Sequence, residues 1–323
     1  MFGIGNTIGA GVFALTGVAA QYAGPSVFLS FLVAGAVALM TALMYSELAS
    51  RIPINGSAFA YTYVTFGELP AFLVGWNLNL RYGVSAAGLS RGLASYFNGL
   101  LARFGIGLPA ALNNLTVFGI ENCSVEAVAF LAVLTLIYSN GMQESNIFNL
   151  IFTTLKLATL ALIIILGYSH FNMDNFYPFT LEDKGGVQGT FLGASIIFYG
   201  YLGFDFITIL SEDAKKPLRD VPLSVRDSTV LCIILYLLTA TSLSGMARLE
   251  TFSPDTAMAE AFASVGAGWA STVIYFCAFF GIVAAVFTNL LVSRSNPVHH
   301  FRLEPTQTSP GTSRGRTTAE DFR

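Results

Sequence analysis

Gly3 to Phe13 reads GIGNTIGAGVF, four glycines in eleven otherwise largely apolar residues. Glycine is roughly 1 kcal/mol less favourable than alanine at each helical position, so the run predicts an interrupted helix. Its surroundings set where the interruption lies. Of the 323 residues 54% are hydrophobic and 11% charged, with a mean hydropathy of +0.64. That leaves too little polar surface to cover a soluble globule, and the chain reads as an integral membrane protein. Backbone N–H and C=O groups freed at membrane depth cannot face lipid; they must line a protein cavity or bind something.

A window of about 20 residues, the length that crosses a bilayer as helix, finds eight apolar stretches: Phe2 to Gln21, Pro25 to Leu48, Leu69 to Phe97, Val125 to Ser139, Ile147 to Tyr168, Gly189 to Leu210, Val230 to Met246 and Trp269 to Val292. Turn chemistry separates them, as at Asn55-Gly56, Gly185-Gly186, Lys216-Pro217 and Ser253-Pro254. The coarse reading is helical throughout, with none of the alternating ten-residue segments of a barrel. Arg51, Lys215, Lys216, Arg219, Arg226 and the arginines after the eighth span place the ends of even-numbered spans in the cytoplasm. The sequons at Asn114 and Asn122 then fall on the outer side.

The sixth span repeats the signal of the first. Gly200-Tyr201-Leu202-Gly203-Phe204-Asp205 places two glycines and an acid inside an apolar helix. Interrupted helices five spans apart are what an inverted repeat of five helices produces, with half-helix N-termini aimed at an anionic group of the substrate. The same glycines also suit close helix packing, which is the alternative reading.

GIGNTIGAGVFALTG (Gly3 to Gly17), YSELASRIPINGSAFAYTYVTFGE (Tyr45 to Glu68), GWNLNLRY (Gly75 to Tyr82), FDFITILSEDAKKPLRDVP (Phe204 to Pro222) and GIVAAVFTNLLVS (Gly281 to Ser293) together resemble the amino acid–polyamine–organocation superfamily. Within it the chain is most similar to the cationic amino acid transporter family. The resemblance implies an all-α membrane bundle of the LeuT inverted-repeat type, incomplete at about eight helices, with the first and sixth discontinuous. It also implies proton-coupled transport of amino acids, arginine or lysine among them, by alternating access, most often in the plasma membrane. By similarity Thr7, Ile8, Gly9, Ala10 and Gly11 would receive the substrate carboxylate through backbone N–H groups. Tyr199, Gly200 and Leu202 would offer carbonyls to its ammonium, with Tyr199 as an aromatic gate.

Three charged residues stand out. Lys156 lies alone in the fifth span, far enough from both ends that snorkelling is difficult, and an intramembrane lysine points to function; in proton-coupled relatives a lysine at the similar place occupies the coupling-ion position, which implies a link between protonation and the transport cycle, with a structural salt bridge as the alternative reading. Arg81 stands where the family pattern Trp-x-Leu-x-Leu-Glu-Tyr has an acid, so the local charge is reversed and a cationic substrate side chain would be repelled. Asp205 reads either as a charge partner in the site or, the preferred reading, as a cap on the outer half of the broken sixth helix. Arg91 is expected to snorkel and Glu47 to sit at the interface.

Other classes lack support in the sequence. A net charge of −3 without a basic stripe excludes nucleic acid as a main partner. Cys123, Cys232 and Cys277 have no metal spacing, and His299-His300 lack further ligands, so neither metal nor organic cofactor is expected, only a proton. No nucleophile and base pair suggests an enzyme, and nothing resembles a pore loop. No cleavable signal peptide is read at the start. Residues 1–293 read as a partial permease domain and 294–323, rich in Thr, Ser, Pro and Arg, as a disordered polar tail. Both ends look truncated, which keeps open a transport-inactive fragment with a regulatory role or none.

Overall fold

The computed structural model describes residues 5, 7–8, 10–52, 56–107, 115–117, 120–140, 146–209 and 216–295. Gly9, Asn114, Lys215 and the tail from 296 onward lie outside the described residues.

Each of the eight expected spans carries a helix. They are α1 (Ala10–Ala23), α2 (Val27–Arg51), α4 (Glu68–Arg103), α5 (Val125–Ser139), α6 (Asn146–Ser169), the pair α7 (Val187–Tyr201) and α8 (Phe204–Ile209), α9 (Pro217–Met246) and α11 (Gly268–Ser295). Helix is what the bilayer demands, since it satisfies every backbone group within the segment. Among the described residues five runs are long and apolar enough to cross a membrane: Gly11–Arg51, Leu150–Ser169, Val187–Thr208, Leu218–Met246 and Gly268–Leu290. The first of these holds two spans, reversed at Gly24, whose φ of +61° suits glycine. The 36-residue α4 is not among the five, because Asn77, Asn79, Arg81 and Arg91 dilute its apolar run.

Three elements depart from the expected eight spans. Short helices α3 (Ser57–Phe66) and α10 (Ala257–Ser264) occupy what read as loops; at 1.5 Å per residue neither is long enough to cross about 30 Å of hydrocarbon. An antiparallel hairpin, β1 (Leu115–Val117) with β2 (Ile120–Cys123), lies in a connection between helical spans, with Val117 opposite Ile120 and Leu115 opposite Cys123. It sits in the polar stretch before α5, whose N-cap Ser124 accepts from the Ala127 N–H at 3.2 Å.

Packing reveals the architecture. The three most extensive helix pairings are α2 with α9, α4 with α11 and α1 with α7, each joining a span to the one five further on. Such pairing is what two five-helix repeats generate when they interlock about a shared axis. The core runs along these seams, through Phe13, Phe31, Tyr96, Tyr201, Tyr236 and Phe262, all with relative exposures of 1% or less. Phe31, Tyr201 and Tyr236 form a ring cluster with centroids 5.0 to 6.3 Å apart directly behind the interrupted segments.

Candidate functional site

Both glycine runs break their helices. Gly5 and Thr7 are helical, the chain bends at Ile8, and α1 starts at Ala10. In the sixth span α7 ends at Tyr201, Leu202 is extended (φ −69°, ψ 130°), and α8 resumes at Phe204. The two breaks meet backbone to backbone. A Cβ placed on Gly11 would stand 2.5 Å from Gly200 Cα, and one on Gly203 would stand 2.8 Å from Thr7 Cα. The packing and site readings of these glycines therefore hold together: absence of side chains lets the segments cross, and the crossing brings the unwound stretches side by side.

Beside the crossing lies a cavity of about 310 Å³, at the lower end of the range of small-molecule pockets, roughly 300–1,000 Å³. Thr7, Gly11, Tyr199, Gly200, Leu202 and Arg81 all line it, so most of the residues singled out from sequence come together there. Ile8 does not line it; its side chain is fully buried in the core. Ala10 opens α1 next to Gly11. Tyr199 is 38% exposed, as a residue bordering an open cavity can be. The Tyr199 carbonyl accepts from the Leu202 N–H at 3.3 Å, which leaves the oxygen's second lone pair.

The charged residues have partners the sequence did not reveal. Arg81 Nη1 lies 2.9 Å from Asp205 Oδ2, with side-chain exposures of 27% and 3%. The Tyr82 hydroxyl donates to the same oxygen at 2.5 Å. The cap expected of Asp205 is thus corrected: its carboxylate turns to Arg81 and Tyr82, while Oδ1 is buried without a hydrogen-bond partner among the described residues. Arg81 in turn is not an unopposed cation. The guanidinium carbon sits 4.7 Å from the centroid of the Tyr82 ring, so α4 supplies both groups that hold α8.

Lys156, 3% exposed, donates from Nζ to the carbonyl oxygen of Gly5 at 2.9 Å, just before the first break. Its stem runs beside Gly281 of α11, where a Cβ would stand 3.4 Å from Lys156 Cε. Arg91 lines both the central cavity and a second, more polar one of about 680 Å³ that it shares with Asp255, Arg103 and Glu260. Glu47 pairs with Arg51 at 2.7 Å on an exposed face.

Sequence reading missed Tyr236. Fully buried in α9, its hydroxyl donates to the Thr7 carbonyl at 2.6 Å and lies 3.4 Å from the Gly200 carbonyl, touching both breaks. In the apolar run Ile233-Ile234-Leu235-Tyr236-Leu237-Leu238 a lone tyrosine carries no local signal. A hydroxyl placed there answers the requirement that buried carbonyls keep a donor.

The architecture defines a class: an integral, multi-pass helical protein with a pocket between two interrupted helices from interlocking repeats. Within that class the chain belongs to the amino acid permease family, whose profile matches residues 1–295. It is 36% identical over 293 residues to a methylthioribose transporter of Bacillus subtilis, an alignment that takes in 88% of this chain and 62% of that protein. Cationic amino acid transporter 9, chloroplastic, of Arabidopsis thaliana is 37% identical over 302 residues, 90% of this chain and 51% of that protein. The branched-chain amino acid permease BcaP of Bacillus subtilis is 33% identical over 299 residues, 90% and 63% of the two chains. The chain thus spans between half and two-thirds of the length of these relatives.

Proposed function

We propose that this permease moves amino acids across a membrane by alternating access, with a proton as the coupling ion. The observation that carries the reading is the cavity shared by the two unwound segments. At the start of α1 the first N–H groups have no partner within the helix and carry the positive end of its dipole, a seat for a carboxylate. Thr7, Ile8, Gly9, Ala10 and Gly11 supply that seat. At the end of α7 the carbonyls of Tyr199, Gly200 and Leu202 carry the negative end and receive the ammonium. A zwitterion bridges the two across the crossing point, with the Tyr199 ring over it.

Lys156 provides the coupling. As an ammonium it holds the Gly5 carbonyl just before the first break; loss of the proton weakens that tie and frees the break to rearrange. No organic cofactor or metal enters this scheme. The plasma membrane is the proposed location, although relatives named as vacuolar and chloroplastic show that other membranes host the family.

Names among the relatives divide between cationic, branched-chain and methylthioribose substrates, so they support transport without fixing the side chain carried. The test is uptake of radiolabelled amino acids into proteoliposomes under an imposed pH gradient, together with equilibrium binding. Gradient-driven uptake that vanishes in Lys156→Ala is the expected result. Uptake insensitive to both the gradient and Lys156 removes the coupling role, and absence of amino-acid binding removes the site. Binding without uptake identifies the other reading, a chain that holds substrate but does not translocate it.

A further inference from the structure

We propose that Arg81 determines specificity by standing in for a substrate's cationic side chain, so that the cavity takes amino acids with uncharged side chains and rejects lysine and arginine. This rests on the amino-acid site proposed above and concerns what lies beyond the shared carboxylate and ammonium. Asp205 is the acid nearest the second break, in the first turn of α8, and it is almost fully buried. A buried carboxylate requires a cation, and Arg81 supplies one from within the chain at 2.9 Å. The Tyr82 hydroxyl donates to the same oxygen, Oδ2, which closes that face of the carboxylate. The other oxygen, Oδ1, keeps unused acceptor capacity within the protein.

Arg81 also lines the cavity and is 27% exposed, so a substrate side chain reaching that wall meets a guanidinium before it meets Asp205. The other charged side chains on the cavity wall are Arg91 and Asp255, one of each sign, so the Arg81–Asp205 pair leaves the wall without net charge. Beside it lie Ala14, Leu15, Val18, Val84 and Leu89, which suit an aliphatic side chain. A lysine or arginine side chain brought to this wall gives up its hydration and finds the Asp205 carboxylate already taken by Arg81, and that uncompensated desolvation disfavours it by about a hundredfold or more. Removing the Arg81 side chain reverses the preference: Asp205 is left buried and unpaired, facing a space that a lysine or arginine side chain can fill.

Equilibrium binding of tritiated L-leucine to the full chain in detergent, with L-alanine, L-lysine and L-arginine as competitors, tests this in the wild type and in Arg81→Ala and Arg81→Gln. In the wild type alanine is expected to compete, whereas lysine and arginine are about 100-fold weaker. In the variants the ratio of cationic to neutral affinity is expected to rise by about 100-fold. Wild-type binding of lysine or arginine as tight as that of leucine overturns the proposal while leaving the amino-acid site standing. So does a folded variant whose selectivity is unchanged. Failure of the wild type to bind any amino acid removes both readings. If Arg81→Ala does not fold, Arg81→Gln keeps a donor beside Asp205 and gives the variant result, and the wild-type selectivity decides independently.

Discussion

Substituting Gly11 by alanine tests whether the two breaks are held in backbone contact. The added Cβ stands 2.5 Å from Gly200 Cα and 2.6 Å from Gly200 O, whereas carbon atoms pack comfortably at about 3.5–4.0 Å. Both obstructing atoms are main chain, so no rotamer change relieves the clash, and α1 and α7 must part by about 1 Å. Overpacking on this scale costs about 1–3 kcal/mol. The better helix propensity of alanine returns at most ~1 kcal/mol of that. A net loss of about 1–2 kcal/mol is expected in an SDS-unfolding titration in mixed micelles, with roughly tenfold weaker amino-acid binding because the seats for carboxylate and ammonium have separated. Gly200→Ala should be milder, since its Cβ meets Gly11 Cα at 3.0 Å. Gly83→Ala in α4, with nothing within 4 Å, is the control and should be neutral or slightly stabilising. Equal behaviour of Gly11→Ala and Gly83→Ala would refute the backbone crossing and the site built on it.

Tyr236→Phe removes the hydrogen bond to the Thr7 carbonyl and should cost about 0.5–1.5 kcal/mol of stability, with weaker substrate binding; wild-type affinity in this variant would detach Tyr236 from the site. The Arg81–Asp205 pair should respond asymmetrically. Arg81→Ala strands a 3% exposed carboxylate and is expected to cost about 3–5 kcal/mol, whereas Asp205→Asn leaves a guanidinium that already reaches the cavity and should cost about 1–3 kcal/mol. The same unfolding titration measures both, and the reverse order would contradict the burial seen here. At the N-terminus of α5, Ser124→Ala removes an N-cap and should lower helix stability by about 0.5–2 kcal/mol without altering substrate affinity.

The parts of this site that were legible in sequence are those that break a local rule. Gly9, Gly11, Gly200 and Gly203 violate helix propensity inside apolar spans, and Lys156 violates apolarity, so each announces itself within a window of a few residues. Eight spans were legible for the same reason, since about 20 apolar residues have few alternatives in a membrane protein. What escaped is contact between distant positions. Tyr236 and Thr7 are 229 residues apart in the chain, and Arg81 meets Asp205 from another helix, so no periodicity records either pairing. Asp205 illustrates the cost of local reasoning. At the second position of α8 a cap is the expected role, yet a guanidinium 2.9 Å away takes the carboxylate instead. The helices α3 and α10 escaped because eight to ten residues resemble loop as much as helix when they lie outside the hydrocarbon.

Viewed together, the two charged ties obey the same repeat logic as the helix pairings. Each interrupted span places one helix in the core, α1 in the first and α7 in the sixth, and the chain on the other side of each break meets a cation. Gly5, before the first break, accepts from Lys156 of α6, and Asp205, after the second break, pairs with Arg81 of α4. One cation on another helix therefore ties the chain on the far side of each break. The ties differ chemically. The charge-assisted bond from the Lys156 ammonium to the Gly5 carbonyl is weakened by loss of one proton, whereas an arginine stays charged across any accessible pH and its carboxylate partner is further held by Tyr82. Under the proposed function, the tie at Gly5 is then the one that protonation would govern, and the Arg81–Asp205 tie is the one proposed to select substrate. Coupling and selectivity would reside on different helices of the same crossing, separable by mutation: Lys156 changes should alter pH dependence with selectivity intact, and Arg81 changes should alter selectivity with pH dependence intact.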